Sequence, residues 1–182
     1  MKGYAVSSET KKGCLLYLVF CGCILAGLGA MTCVLYWKLG FDGGVAWRDN
    51  PAKQFAWHPI LLTLSIVLSG IGGTLYKVLN ISKPITKSIH AILMILAAAS
   101  GAIGLWAVID SHNFASPPIP NFFSLHSWVG ISVLAVLGLQ LLFGLIILLF
   151  PIPSSKKAGF MPLHKYFGIL VFVGSVAAAI IG

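Results

Sequence analysis

The sequence predicts an all-α fold: a multi-pass transmembrane helical bundle with five helices. Three observations predict it. Of the 182 residues, 58% are hydrophobic and only 9% charged, and the mean hydropathy is +0.97; soluble domains carry roughly 25% charge. The apolar residues gather into five stretches, 14–37, 56–79, 87–109, 123–149 and 162–182, each near or above the roughly 20 residues a spanning helix needs. Runs so long and unbroken exclude barrel strands, which alternate over about 9–11 residues. Helices alone then satisfy every backbone amide within the lipid.

The first stretch follows a polar leader, residues 1–13, that contains Lys2, Lys11 and Lys12. Its apolar run is too long for a signal-peptide core of about 7–15 residues, so it is expected to be a retained span. Cys14, Cys21, Cys23 and Cys33 all fall in it. Cys21-Gly22-Cys23 is too tight for a four-ligand zinc site, and no disulfide framework is implied. These cysteines are expected to act as small buried hydrophobes.

A polar loop, 38–55, rich in Gly and Asp, leads into the second stretch, and a short basic turn, 80–86, leads into the third. Pro117, Pro118 and Pro120 keep the 110–122 connection extended and stop helix continuation. Pro151 and Pro153, with Lys156 and Lys157, mark the 150–161 connection. Connections this short join antiparallel neighbours, so residues 14–182 are expected to form one bundle without a separate soluble domain. The last stretch closes on Ile180-Ile181-Gly182 without the Lys, Arg, Trp or Tyr that anchors a span at the interface, which predicts further sequence beyond it.

The formal net charge is +8, and its placement sets a topology. With a cytosolic N-terminus, Lys2, Lys11, Lys12, Lys77, Lys83, Lys87, Lys156, Lys157 and Lys165 face the cytosol. Lys38, Arg48 and Lys53 lie opposite, offset by Asp42 and Asp49. This satisfies the positive-inside rule. The basic balance therefore reports orientation, and no aromatic-basic motif points to nucleic acid.

Four histidines, His58, His90, His126 and His164, lie near the starts of four consecutive stretches. Threading the membrane puts His58 and His126 at the non-cytosolic face and His90 and His164 at the cytosolic face. Ionisable side chains inside a bilayer are costly and usually functional. One such histidine is readily explained as an interface anchor or a helix-bridging hydrogen bonder. Four of them, at alternating faces, predict two haem irons, each with two imidazole ligands. The irons are then roughly 20 Å apart along the normal, judged from 1.5 Å of rise per residue.

Around two of these histidines the sequence repeats itself. Leu125-His126-Ser127-Trp128-Val129-Gly130-Ile131 matches Leu163-His164-Lys165-Tyr166-Phe167-Gly168-Ile169 as Leu-His-x-aromatic-x-Gly-Ile. The glycine lies one turn from the histidine on the same helix face, where a flat macrocycle needs space. Further small residues follow at steps of three or four: Ala97, Gly101 and Gly104 after His90, Ser65, Ser69 and Gly72 after His58, and Ser175 and Ala178 after His164. Plain helix packing in membranes produces the same stripes, so both explanations stand. His112, within Asp110-Ser111-His112-Asn113, is either a solvated loop residue or a substrate or metal contact at the non-cytosolic mouth. Lys77, Lys83, Lys87, Lys156 and Lys157 either follow the topology rule alone or form a cationic funnel for an anionic reductant or haem propionates.

These residues resemble the cytochrome b561 family, the ascorbate-reducible transmembrane dihaem proteins, among them ferric reductases. Phe55-Ala56-Trp57-His58-Pro59 is similar to the family's Trp-His-Pro opening. Ser124-Leu125-His126-Ser127-Trp128-Val129-Gly130 looks like its most distinctive signature. Thr74-Leu75-Tyr76-Lys77-Val78 and Pro162-Leu163-His164 match two further segments. The resemblance implies six helices, of which this chain supplies five, with a central four-helix core holding two b haems. It implies axial pairs His58 with His126 and His90 with His164, and Lys77 and Lys83 at a haem propionate. It implies cytosolic ascorbate near Lys83, Lys87 and Lys157, and His112 at the outer substrate site, where monodehydroascorbate or a ferric chelate accepts the electron. Lys77 and Lys157 stand where arginine is common and lack its planar fork. Phe123 replaces a frequent tyrosine, and Met94 stands where some members carry another histidine.

The expected activity is transmembrane electron transfer from cytosolic ascorbate through two haems to a non-cytosolic acceptor, an oxidoreductase reaction. The alternative from another class is a non-haem multi-pass transporter or scaffold whose histidines only bridge helices. Plasma membrane, secretory-vesicle and lysosome-like membranes all fit, and the small-residue stripes are consistent with a homodimer.

Overall fold

The structure, a computed structural model, describes residues 8–79 and 81–182, with side chains from residue 13 onward. Those residues form α1 (Ser8–Leu35), a π-helical turn (Tyr36–Phe41), α2 (Pro51–Gln54), α3 (Trp57–Val78), α4 (Lys83–Phe114), α5 (Leu125–Leu149) and α6 (Ser154–Ile181), and no strand. Five helical segments among them are long and apolar enough to cross a membrane.

Hydropathy locates the lipid; backbone hydrogen bonding locates the helix ends, and the two differ. Helix α1 already begins at Ser8, inside the expected leader, whose residues 1–7 lie outside the described residues. Helix α4 begins at Lys83 with Pro84 in its first turn, where a missing N–H removes no helical bond. It continues to Phe114, so Asp110, Ser111 and His112 are helical, not loop residues. Helix α6 starts at Ser154 and carries Pro162 inside it, losing one intrahelical hydrogen bond there. Asn50 caps α2 by accepting from the Lys53 amide at 3.1 Å, and Ser124 caps α5 by accepting from the Ser127 amide at 3.2 Å.

Helices α3, α4, α5 and α6 form a closed ring in which each packs on the next and α6 returns to α3. Between α3 and α4 the packing is tight because the facing residues are small. Ala97 and Ala107 are fully buried, and the Ser65 hydroxyl donates to the Ala97 carbonyl at 2.7 Å. A Cβ on Gly101 would meet Leu134 Cδ2 of α5 at 2.7 Å and Ser65 Oγ of α3 at 3.3 Å. Helix α1 stands outside the ring, against α3. Gly27 faces Val67, and the Tyr17 hydroxyl donates to the Val78 carbonyl at 2.8 Å. Because α1 touches the ring along one side only, its cysteines are all exposed on the outer surface and not buried as expected. An apolar thiol is equally at home facing lipid.

At the end of the ring that holds His58, the polar connection is tied down by charge. Arg48 forks onto Asp110 of α4, Nε at 3.0 Å and Nη2 at 3.2 Å, and the buried Gln54 donates to the same carboxylate at 2.7 Å. The bond to Asp110, and then its charge, push the Arg48 guanidinium still higher than its ordinary value, so it stays cationic. Trp57 Nε1 donates to the Ala46 carbonyl at 3.0 Å, and Lys38, buried by the π-helical turn, pairs with Asp42 at 2.7 Å.

Leu134 can swing away from a single added methyl at Gly101, but Ser65 is held by its bond to Ala97. Gly101→Val is therefore expected to lower the melting temperature in detergent, by overpacking on the order of 1–3 kcal/mol. Gly22→Val, at a position with nothing within 4 Å, should leave it nearly unchanged. Equal melting of the two variants would contradict the close approach of α3, α4 and α5.

Candidate functional site

Each ring helix carries one of the four histidines. The antiparallel course of the chain sends His58 and His126 to one end and His90 and His164 to the other. Helices α3 and α5 stand diagonally across the ring, as do α4 and α6. Each pair therefore closes over the bundle axis. The His58 and His126 ring centroids are 5.9 Å apart with planes at 80°; those of His90 and His164 are 6.1 Å apart at 77°.

Every one of the four Nδ1 atoms is already engaged. His58 Nδ1 lies 3.1 Å from the Gly104 carbonyl, His90 Nδ1 2.9 Å from the Gly72 carbonyl, and His126 Nδ1 2.8 Å from the Ala178 carbonyl. A carbonyl only accepts, so Nδ1 carries the proton and, in the neutral ring, Nε2 keeps its lone pair. His164 Nδ1 lies 2.6 Å from Gln140 Oε1, while Gln140 Nε2 donates to the His164 carbonyl at 3.2 Å. That second bond fixes the amide orientation, leaving Oε1 to accept from the imidazole and the His164 Nε2 free.

The acceptors obey one rule. Each lies fourteen positions after the histidine of its own helix: 58 to 72, 90 to 104, 126 to 140 and 164 to 178. Fourteen residues rise roughly 21 Å, so a helix offers its imidazole at one end of the bundle and the acceptor for its neighbour at the other. Helices α3 and α4 exchange such bonds with each other, and α5 and α6 do likewise. Reaching a helix carbonyl requires the side chain there to be small. A Cβ on Gly104 would meet Leu62, and Leu61 Cβ at 3.1 Å; one on Gly72 would meet Met94, and Leu93 Cβ at 3.3 Å. The stripes after His58 and His90 thus serve helix contact and imidazole access together.

The glycines of the repeated motif behave differently. Nothing lies within 4 Å of a Cβ built on Gly130 or Gly168, so space is open one turn from His126 and His164. This bears on what the imidazole pairs fit. Metal–imidazole bonds are roughly 2.0–2.1 Å, and two of them in line, with half of each ring, come to roughly 6 Å between centroids. Each pair supplies two nitrogens, and among the described residues no group of three or more His, Cys, Asp or Glu side chains gathers as a metal cage. Two opposed imidazoles with open space beside them would suit a metal that brings further ligands of its own, as haem does.

His112 sits in the last turn of α4, with Nδ1 3.1 Å from Asn121 Oδ1. Its ring stacks on Phe55 at 6.3 Å with planes 6° apart, and Phe55 lies 5.9 Å from the His58 ring. Phe55, His112 and Ser111 line an open cleft of about 380 Å³. At the opposite end, Lys77 lies in the last turn of α3, Lys83 and Lys87 in the first turns of α4, and Lys157 in the first turn of α6; the first three are exposed and Lys157 is half-buried. Tyr76 approaches His90 edge-on at 5.5 Å. Gln140 is the site residue that sequence reasoning missed. Its signal was an amide alone within an apolar segment, Val136-Leu137-Gly138-Leu139-Gln140-Leu141-Leu142. The Arg48–Gln54–Asp110 cluster was also missed, because its members are far apart in sequence.

Comparison with known proteins bears on the same residues. The family model described as "Eukaryotic cytochrome b561" matches residues 57–182, which contain all four histidines and Gln140. Transmembrane ascorbate ferrireductase 1 of Arabidopsis thaliana is 38% identical over 156 residues, covering 84% of this chain and 64% of that protein. The plasma membrane ascorbate-dependent reductase CYBRD1 of Xenopus tropicalis is 37% identical over 179 residues, 96% of this chain and 62% of that protein. The lysosomal membrane ascorbate-dependent ferrireductase CYB561A3 of Danio rerio is 32% identical over 176 residues, 91% and 68%. The chain spans somewhat less than two thirds of the first two relatives. With more than half of its residues matched by the family model, and with the Trp-His-Pro and Leu-His-Ser-Trp motifs inside that match, the chain belongs to the eukaryotic cytochrome b561 family.

Proposed function

We propose that the protein transfers single electrons across a membrane, from ascorbate at the lysine-bearing end to an acceptor at the other end, monodehydroascorbate or a ferric chelate. One observation carries the reading. Two opposed imidazole pairs stand at the two ends of one bundle, with every Nδ1 committed and every Nε2 without a partner among the described residues. The relatives' names, ascorbate-dependent reductase and ferrireductase, support ascorbate as the donor.

In this reading His58 and His126 hold one b haem and His90 and His164 the other. Bound haem would supply a one-electron couple at each end of the bundle. The chain supplies the rest. Its carbonyl acceptors lock each imidazole in the tautomer that presents Nε2 and raise its basicity. Lys83, Lys87 and Lys157 attract the ascorbate anion, and Lys77 and Lys83 would hold a haem propionate. Ascorbate leaves as monodehydroascorbate, having released one electron and, to water at that mouth, one proton. At the far end His112 and Phe55 receive the acceptor, which gains one electron; a ferric chelate becomes ferrous, and monodehydroascorbate takes up a proton to regenerate ascorbate. The lysine distribution supports a cytosolic N-terminus, in a plasma membrane or an endomembrane.

The test is haem content with an ascorbate-reduced difference spectrum. Two haems per chain are expected. His58→Ala, His126→Ala and the double variant should each lose the same one haem, and His90→Ala and His164→Ala the other. A folded, colourless protein would support a scaffold whose histidines merely bridge helices. Gly104→Val should also lose the His58 haem, because a branched side chain there bars the imidazole from its carbonyl.

Substrate residues have their own readouts. Lys83→Ala and Lys87→Ala should raise the KM for ascorbate severalfold while leaving the dithionite-reduced spectrum intact. His112→Ala should slow reduction of a ferric chelate more than reduction of monodehydroascorbate, measured by stopped-flow. Unchanged rates with both acceptors would remove His112 from the outer site.

A further inference from the structure

Three of the four histidines donate Nδ1–H to a backbone carbonyl, at Gly104, Gly72 and Ala178. The fourth, His164, donates to a side chain, and at 2.6 Å this is the shortest of the four contacts. Glycine or alanine occupies the acceptor position in the other helices. In α5 the equivalent position holds Gln140, which reaches across with its own amide. The difference is chemical as well as geometric. The carbonyls of Gly72 in α3 and Gly104 in α4 lie within their helices and also accept a bond there, whereas Gln140 Oε1 has His164 as its one partner among the described residues. The amide is also clasped at both ends, since its Nε2 holds the His164 carbonyl.

We propose that Gln140 is a positioning residue that makes His164 the most strongly donating of the four imidazoles and so sets the reduction potential of the His90/His164 centre apart from that of the His58/His126 centre. This rests on the haem reading given above. A stronger hydrogen bond from Nδ1 raises ligand basicity, and a more basic axial ligand favours the oxidised iron, because hydrogen bonding to the ligand is one of the protein's levers on potential. Gln140 therefore holds the potential of its centre down. Removing the acceptor raises it.

The experiment is an optical redox titration of the full chain in detergent, resolved into two components, for wild type, Gln140→Met and Gln140→Glu. Gln140→Met keeps the length and loses the acceptor. It is expected to raise the midpoint of one component, leave the other in place and retain both haems. Gln140→Glu keeps an acceptor oxygen in either protonation state and is expected not to raise that midpoint. Unmoved midpoints in Gln140→Met, an equal rise in Gln140→Glu, or a common shift of both components would overturn the proposal. Should Gln140→Met fail to assemble, Gln140→Ala serves, with a rise expected in the same single component; an unmoved midpoint there overturns the proposal equally. Absence of haem from the wild type is a separate result, since it removes the haem reading before any potential is compared.

Discussion

The structure depends on a hydrogen bond between an imidazole of one helix and an acceptor fourteen residues along its neighbour. A histidine in a bilayer is expensive unless its polar atoms have partners. One ring nitrogen is satisfied across the helix pair by this bond. The other keeps its lone pair, which meets no protein donor among the described residues. The same bond dictates the helix contact, because an imidazole reaches a helix carbonyl only where Gly72, Gly104 or Ala178 leaves room. Helix packing and imidazole orientation are therefore one constraint, and a substitution that opens or fills the α3–α4 contact acts on both.

The exchange also explains why the two sites lie at the two ends. With one imidazole and one acceptor per helix, separated by a fixed rise, two antiparallel helices placed side by side satisfy each other at both levels. A second such pair, laid against the first, brings the histidines together diagonally on the axis. No loop is required to hold a ligand. The connections are free to differ at the two ends, and they do. The end with His58 is closed by the Arg48–Asp110–Gln54 cluster, the buried Lys38 and an aromatic pair over the cleft. The end with His90 carries exposed lysines at helix termini. One end thus presents exposed cationic side chains, and the other a cleft shaped by fixed groups.

Much of this was legible in the sequence. Five helical spans, the alternation of His58, His90, His126 and His164 and the approach of each same-end pair follow from hydropathy and chain direction. Helix ends did not follow, since Lys83–Thr86 and Ser154–Met161 are helical beyond the apolar stretches. His112 was assigned to a loop for the same reason. The acceptors were hidden differently. The small-residue stripes were visible, but their double use, as helix contact and as imidazole partner, needs two helices in register. The lipid-facing cysteines of α1 show the converse limit: hydrophobicity states that a residue avoids water, not whether protein or lipid covers it.

The departure at Gln140 matters because the rest is so regular. Were helix contact the purpose of the fourteenth position, a glycine or alanine would serve in α5 as it does in α3, α4 and α6. A half-buried amide among leucines costs desolvation that packing alone does not offset. It is tolerated because both of its polar ends are bonded to His164. A side-chain acceptor also differs from a backbone one in being adjustable: its strength and reach change with a single substitution, while a helix carbonyl is the same in every sequence. The end of the bundle that faces the lysines is thus the end at which a change of one residue can alter the imidazole without moving a helix.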